Sequence, residues 1–388
     1  MAEVENFEHN GISINETESP DSMGAIGDNV IGLVGTAPNR ASSVPLNYPF
    51  RINSTTLLAL LDTVGTAEGS LYEVVRQILL VVKVPIYVVV VGEGATDADT
   101  INNVIGGVDV ESGQKKGLEA LRLAKEDLTI IGAPGFTATK AMATEFASLG
   151  KSIRARVVLD GQDGTVDAQT TYSGTLGGES LGFDRCLLVH QMTSVYSKAA
   201  KANVFLPPSA LAIAALASVK QWESPGNQVT NALDVSRTVE YNILDSSTEG
   251  DLLNRYGICY YAATTLGGIS LLGNRSVTGK FISYVGLSDA VTRKLAKSGQ
   301  KVMAKNLTKS FMEQEVKRVN DWLQTLVADE TIPGGSVYLH PELNSVENYK
   351  NGTWYIVIDY GRYAPNEHMV YVLNASDQII EDFLEDVL

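Results

Sequence analysis

Apolar positions follow two periods along this chain. Apolar-rich stretches at 29–38 ("NVIGLVGTAP"), 85–92 ("PIYVVVVG"), 128–135 ("LTIIGAPG"), 153–161 ("IRARVVLDG") and 185–191 ("RCLLVHQ") read as strands, 85–92 as a core strand. Between them, 57–65, 69–82, 117–127 and 139–151 place apolar residues at helical spacing. A further helix, rich in small residues, enters through a double proline at 207–222. Strand and helix in alternation predict an α/β layer on a largely parallel sheet, running to about residue 235.

The texture then changes. Residues 251–277 ("DLLNRYGICYYAATTLGGISLLGNRSV") read as a strand, a glycine turn and a strand. Two helices follow. The first is expected to start at Ser288 as N-cap, the second at a capping box of Ser310 and Glu313 that buries Met312, Val316, Val319, Leu323 and Leu326. Alternation at 353–360 ("TWYIVIDY") and 368–375 ("HMVYVLNA") predicts two more strands, and 377–388 ("DQIIEDFLEDVL") has helical spacing, with a strand as the alternative. Near the start, Gly11, Ile12, Ser13, Ile14 and Asn15 alternate as a short strand, and 18–29, with Pro20, Gly24 and Gly27, has a flexible linker's composition. The expected fold class is α/β plus α+β: an arm at 1–28, an outer α/β domain at 29–235, an inner α+β domain at 236–374 and a second arm at 375–388.

Charge changes this picture at the two ends. The chain of 388 residues carries a net charge of −15. Residues 1–39 hold seven acids and 363–388 hold six, neither with any Lys or Arg, so the body between them is close to neutral. The overall sign argues against a nucleic-acid partner. Solvated tails need no apolar pattern, yet both acidic ends have one. Cys186 and Cys259 make no disulfide framework and suit a reducing compartment. The opening residues lack the pattern of a secretion signal, and the longest apolar run is broken by Lys83 and Pro85, so no membrane insertion is expected.

Candidate chemistry is thin. At 268–273 two glycines have P-loop spacing, but Asn274 stands where lysine belongs; Gly92 and Gly94 begin a dinucleotide fingerprint that Asp97 ends. "GAPGFTATK" at 132–140 is a plausible strand–loop–helix anion site, and "DGQDG" at 160–164 reads as a turn, not a calcium loop. Asp97 and Asp99 read as solvated loop acids, and His190 as a strand-end histidine. No nucleophile elbow and no metal-ligand spacing occurs, so neither catalytic site, cofactor nor metal is expected.

Seven blocks in order carry a resemblance: "GISINE", "NVIGLVGTAP", "PLNYP", "IIGAPGF", "PPSALAIAALASVKQWESPGN", "DLLNRYGI" and "GGISLLGNRS". Together they resemble the tail sheath proteins of contractile phages and the related R-type pyocin sheaths, with a departure at "LLGNR", where many sheaths have tryptophan before the glycine. The resemblance implies a structural protein, not an enzyme. It implies a homopolymer of stacked rings around an inner tube protein, in a metastable extended state that contracts on a baseplate signal, with a tail terminator as a further partner. It implies a place in the virion tail after assembly in the host cytoplasm, or in a phage-derived particle such as a pyocin or extracellular injection system. Neighbours would be joined by arms adding strands to one another's sheets. The arm residues would be Gly11–Asn15 at one end and Ile379, Ile380, Phe383, Leu384 and Val387 at the other. The acceptor strands would hold Trp354, Ile356, Ile358, Tyr360, Met369, Tyr371 and Leu373. Arg293, Lys297, Lys301 and Lys305, spaced by four, would form a basic stripe facing the tube. A nucleotide-binding α/β enzyme is the rival reading.

Overall fold

The computed structural model describes residues 22–162 and 164–387. In chain order, β1 (Ile31–Thr36) and β2 (Phe50–Ile52) precede α1 (Thr55–Leu58) and α2 (Tyr72–Val81). Then come β3 (Ile86–Val91), α3 (Asp97–Ile105), a small hairpin of β4 (Gly107–Val108) and β5 (Lys115–Lys116), β6 (Ile130–Gly132), α4 (Lys140–Ile153), β7 (Arg156–Asp160) and α5 (Val166–Thr175). They are followed by β8 (Cys186–Val189), β9 (Thr193–Ser197), β10 (Ala202–Leu206), α6 (Pro208–Ser218), β11 (Gln228–Val229), β12 (Asp234–Val235), α7 (Glu249–Arg255), β13 (Ile258–Ala263) and β14 (Ile269–Leu272). The C-terminal part comprises α8 (Ile282–Val302), α9 (Lys309–Ala328), β15 (Gly335–Leu339), α10 (Val346–Lys350), β16 (Ile356–Tyr360) and α11 (Asp377–Val387).

One sheet of nine strands, in the order β11-β14-β13-β8-β7-β6-β1-β3-β2, organises most of this. The contacts from β13 through β8, β7, β6 and β1 to β3 are parallel, and the outer strands are antiparallel. Helices cover both faces, which is why the central strands read as continuous apolar runs. Alternate residues serve alternate cores: Leu33, Val88, Val158 and Tyr261 pack with α2 and α6, while Val34, Val89, Leu159 and Tyr260 pack with α4 and α5. The sheet runs past residue 235, where the sequence suggested a domain boundary. β13 and β14 continue it, and the glycine stretch at 266–273 is the hairpin between them, with Gly267 and Gly268 at φ +84° and +92°.

A third core lies outside the sheet, built by α8, α9, β15 and β16 around Leu287, Val291, Trp322, Leu323 and Ile332. Several expected boundaries shift here. α8 starts at Ile282, so Ser288 lies inside the helix; Phe281 precedes it with no side-chain cap. α9 is capped by Thr308, whose hydroxyl accepts from Phe311 N, so Ser310 is already helical. Met312 and Val316 are only half-buried, against full burial of Val319, Leu323 and Leu326. Asp97 and Asp99 open α3, with Thr96 and Asp99 forming its capping box. The described part of the N-terminal linker is tied down: Met23 is buried in the third core, Trp322 Nε1 donates to Gly24 O at 3.1 Å and Lys294 Nζ to Ala25 O at 3.0 Å.

α8 joins the third core to the main sheet through backbone contact at Gly286. A Cβ there would stand 1.9 Å from the Gln221 carbonyl oxygen. Gly286→Ala is therefore expected to lower unfolding free energy by ~1–3 kcal/mol through overpacking, measured by urea denaturation. Cys186 and Cys259 lie on β8 and β13 with no exposed surface to speak of. Burial pushes both thiols up, Cys259 to about 12. A maleimide is expected to label neither in the folded chain and both in urea, as read by mass spectrometry.

A candidate linking surface at the C-terminal end

β15 and β16 pair antiparallel over five residues, from Gly335 with Tyr360 to Leu339 with Ile356. This ladder corrects the expected one: residues 353–360 pair with 335–339, a strand missed in the sequence, and not with 368–374. Val337, Ile358 and Tyr360 turn one face of the pair onto the third core. Trp354, just before β16, packs on Phe311 of α9 with ring centroids 5.8 Å apart. Two strands make a marginal sheet by themselves, and here α9 supplies the missing support. Both outer edges of the pair belong to no other ladder among the described residues.

From Gly361 to Ser376 the chain forms neither helix nor strand. Its first half is clamped. The Arg362 guanidinium lies 5.3 Å from the Tyr284 ring centre and 5.9 Å from that of Tyr360. Glu367 accepts from Arg275 Nε at 3.0 Å and Nη2 at 2.6 Å, and Arg275 is itself held over the Phe281 ring at 4.1 Å. Beyond this clasp, Met369 to Leu373 is an apolar run of five with exposures from 58% to 92%. Met369, Tyr371 and Leu373 thus belong to no sheet among the described residues; they lie in an exposed segment that is neither helix nor strand. α11 follows as a helix, which resolves the helix-or-strand alternative, and Ile379, Ile380, Phe383, Leu384 and Val387 are all exposed on it. The expected N-terminal strand, Gly11 to Asn15, lies outside the described residues.

The basic stripe is not one free face. Arg293 donates to the Arg154 carbonyl and to Gln221 Oε1, and Lys297 pairs with Asp127 at 2.6 Å. Lys301 is exposed in the last turn of α8, and Lys305 lies in the α8–α9 connection. Arg293 belongs instead to a buried cluster about Asp289. Asp289 pairs with Arg185 Nη1 at 2.6 Å and stands 3.7 Å from Arg154. Arg156 next to it is fully buried and donates to Asn29 Oδ1 at 2.6 Å. Burial raises the Asp289 carboxyl despite the arginines, which lower it, and burial brings Arg156 down to about 9.

The anion-site reading of "GAPGFTATK" also receives a physical answer. The loop is occupied by the chain's own carboxylate: Asp160 accepts from Gly135 N at 2.9 Å, Thr137 Oγ1 at 2.7 Å and Ser209 N at 2.9 Å. Those donors, which a phosphate would need, are already taken. Among the described residues no cluster of His, Cys, Asp and Glu has metal-binding geometry, and no helix is long and apolar enough to cross a membrane.

Solved structures place this fold among contractile sheaths. The chain matches the sheath of an extracellular contractile injection system, PVC, in its contracted state, with a TM-score of 0.71 at 15% identity over 96% of this chain and 98% of that one. It matches the contracted helical sheath of the anti-feeding prophage with a TM-score of 0.68 at 17% identity, over 95% and 99%. In sequence, it is similar to the tail sheath protein of Escherichia phage P2, 26% identical over 98% of each chain, and to a prophage major tail sheath protein of Pseudomonas aeruginosa (strain UCBPP-PA14), 26% identical over 92% and 93%. No protein-family model matches the chain. The relatives carry names of structural sheath proteins and not of enzymes, in line with the resemblance of the seven sequence blocks.

Proposed function

We propose that this chain is the subunit of a contractile sheath, either of a phage tail or of a phage-like injection system. The observation that carries this reading is similarity to sheath structures over nearly the whole chain, coupled with an exposed apolar segment at 369–373 that joins no ladder among the described residues. The two-stranded β15–β16 sheet acts as acceptor. Residues 369–373 of a neighbouring copy act as one donor strand and the Gly11–Asn15 segment as another, so that copies are linked through shared ladders. A head-to-tail contact of this kind does not close on itself and builds a helical polymer. The polymer surrounds an inner tube and is capped by a baseplate and a terminator. It is assembled in the host cytoplasm into the virion tail, and its contraction releases energy held in the lattice. The main-sheet unit lies outward and the α8–α9 unit toward the tube, with Lys301 and Lys305 as the remaining basic contacts to the tube. The Asp160-filled loop weighs against the nucleotide-enzyme reading.

Negative-stain microscopy of the purified full chain tests this. Hollow cylinders are expected, and deletion of residues 1–20 or Ile14→Pro is expected to leave soluble, folded chains without cylinders. A full-length chain that stays monomeric at every concentration, without cylinders, would sink the reading.

A further inference from the structure

α11 presents an apolar stripe of Ile379, Ile380, Phe383, Leu384 and Val387, and its own chain covers none of it. Carboxylates flank the stripe on both sides: Asp377, Glu381 and Glu385 along one border, Asp382 and Asp386 along the other. The helix has no basic residue. A surface that accepts it must be apolar in the middle and basic at the rim.

Two other exposed apolar sites have the wrong sign. Ile243 and Leu244 sit between Glu240 and Asp245, and Val110 sits between Asp109 and Glu111. The corner where α8 turns into α9 has the right one. Met303 ends α8 at 75% exposure, and Val346 and Tyr349 of α10 are exposed beside it. The corner is one continuous surface, because Tyr349 Oη donates to Leu307 O at 2.8 Å and Phe311 packs on Trp354. Lys301, Lys305, Lys309 and Lys350 lie on these elements and their connection, all exposed. Its acids are Glu313, 3.8 Å from Lys309, and Glu347.

We propose that α11 of one copy docks on the α8–α9–α10 corner of a second copy, with its apolar stripe over Met303 and Tyr349 and its carboxylates against the four lysines. This rests on the arm-linked assembly proposed above and gives the acidic helix a defined receptor. It is separate from strand exchange, since it uses no ladder. Because Lys301 and Lys305 are then covered, docking and tube contact compete for the same two side chains.

The test uses two full-length chains of different mass, one with Ile380→Cys and one with Met303→Cys, mixed and treated with a short bismaleimide. The native thiols are buried, so the introduced ones react. Linked pairs of one light and one heavy chain are expected. They should fall about tenfold with K301E, K305E and K309E together in the Met303→Cys chain, and return when the Ile380→Cys chain carries E381K, E385K and D386K. Cylinders that form without linked pairs overturn the docking and leave the sheath reading standing. Linkage indifferent to charge reversal also overturns it. Absence of any association, by sedimentation and microscopy alike, defeats both.

Discussion

Truncation after Glu367 is expected to abolish cylinder formation while leaving the unfolding free energy, measured in urea, within ~0.5 kcal/mol of the full chain. The two halves of this result have one cause. Residues 369–387 are exposed throughout, so removing them uncovers almost no core. The same exposure leaves five apolar side chains uncovered among the described residues, and in the proposed assembly a neighbouring copy covers them. Proline substitution separates strand pairing from stickiness. Neighbouring N–H groups along a strand point to opposite sides, so Tyr371→Pro and Val372→Pro each remove a donor from a different edge. At least one of them should block assembly as fully as the truncation. Cylinders from both variants, seen by microscopy and sedimentation, would show that residues 369–373 do not enter a ladder.

Asp289→Asn is expected to cost ~3–5 kcal/mol of folding stability, because it leaves the Arg185 guanidinium buried without its closest anion. The pair is 6% and 3% exposed, and its neighbours Arg154, Arg156 and Arg293 add only positive charge. Asp184, 3.7 Å from Arg185 Nε, is too far to take over the 2.6 Å contact. Lys297→Ala provides the contrast: its pair with Asp127 is 66% and 45% exposed, and its loss should change stability by no more than ~0.5 kcal/mol. Equal effects of the two substitutions in urea denaturation would show that the Asp289 cluster is solvated in solution.

The strands of the main sheet were readable because burial on both faces leaves an apolar run that no helix of that length would need. α8 was harder. Its first turn, Ile282 to Val285, follows the turn bridged by Arg275 and Phe281, and Phe281 offers no polar cap; Ser288, a residue type that can cap, lies inside the helix. β15 was missed because it is five residues long, follows Pro333 and Gly334, and hides only one face. The linking surface was half legible. Period-two alternation predicted a strand at 368–374, but alternation cannot tell which chain would pair with it, and among the described residues this segment stays exposed outside any ladder. The basic stripe shows the opposite limit. Spacing by four places side chains on one helix face, but what that face meets is tertiary, and Arg293 and Lys297 meet their own fold.

The clasp between Arg275 and Glu367 has a mechanical meaning. Tension applied to an arm beyond residue 368 enters the body at this bidentate pair and at the stacked Arg362, before it can reach β16. Arg275 is fastened to the Gly279 carbonyl at 2.7 Å and to Phe281, at the root of α8. The pull is thereby delivered along the longest helix of the chain, and the β15–β16 ladder is spared from being peeled open one hydrogen bond at a time. In the proposed assembly, β15–β16 then holds a neighbour's strand while the chain's own arm is under load.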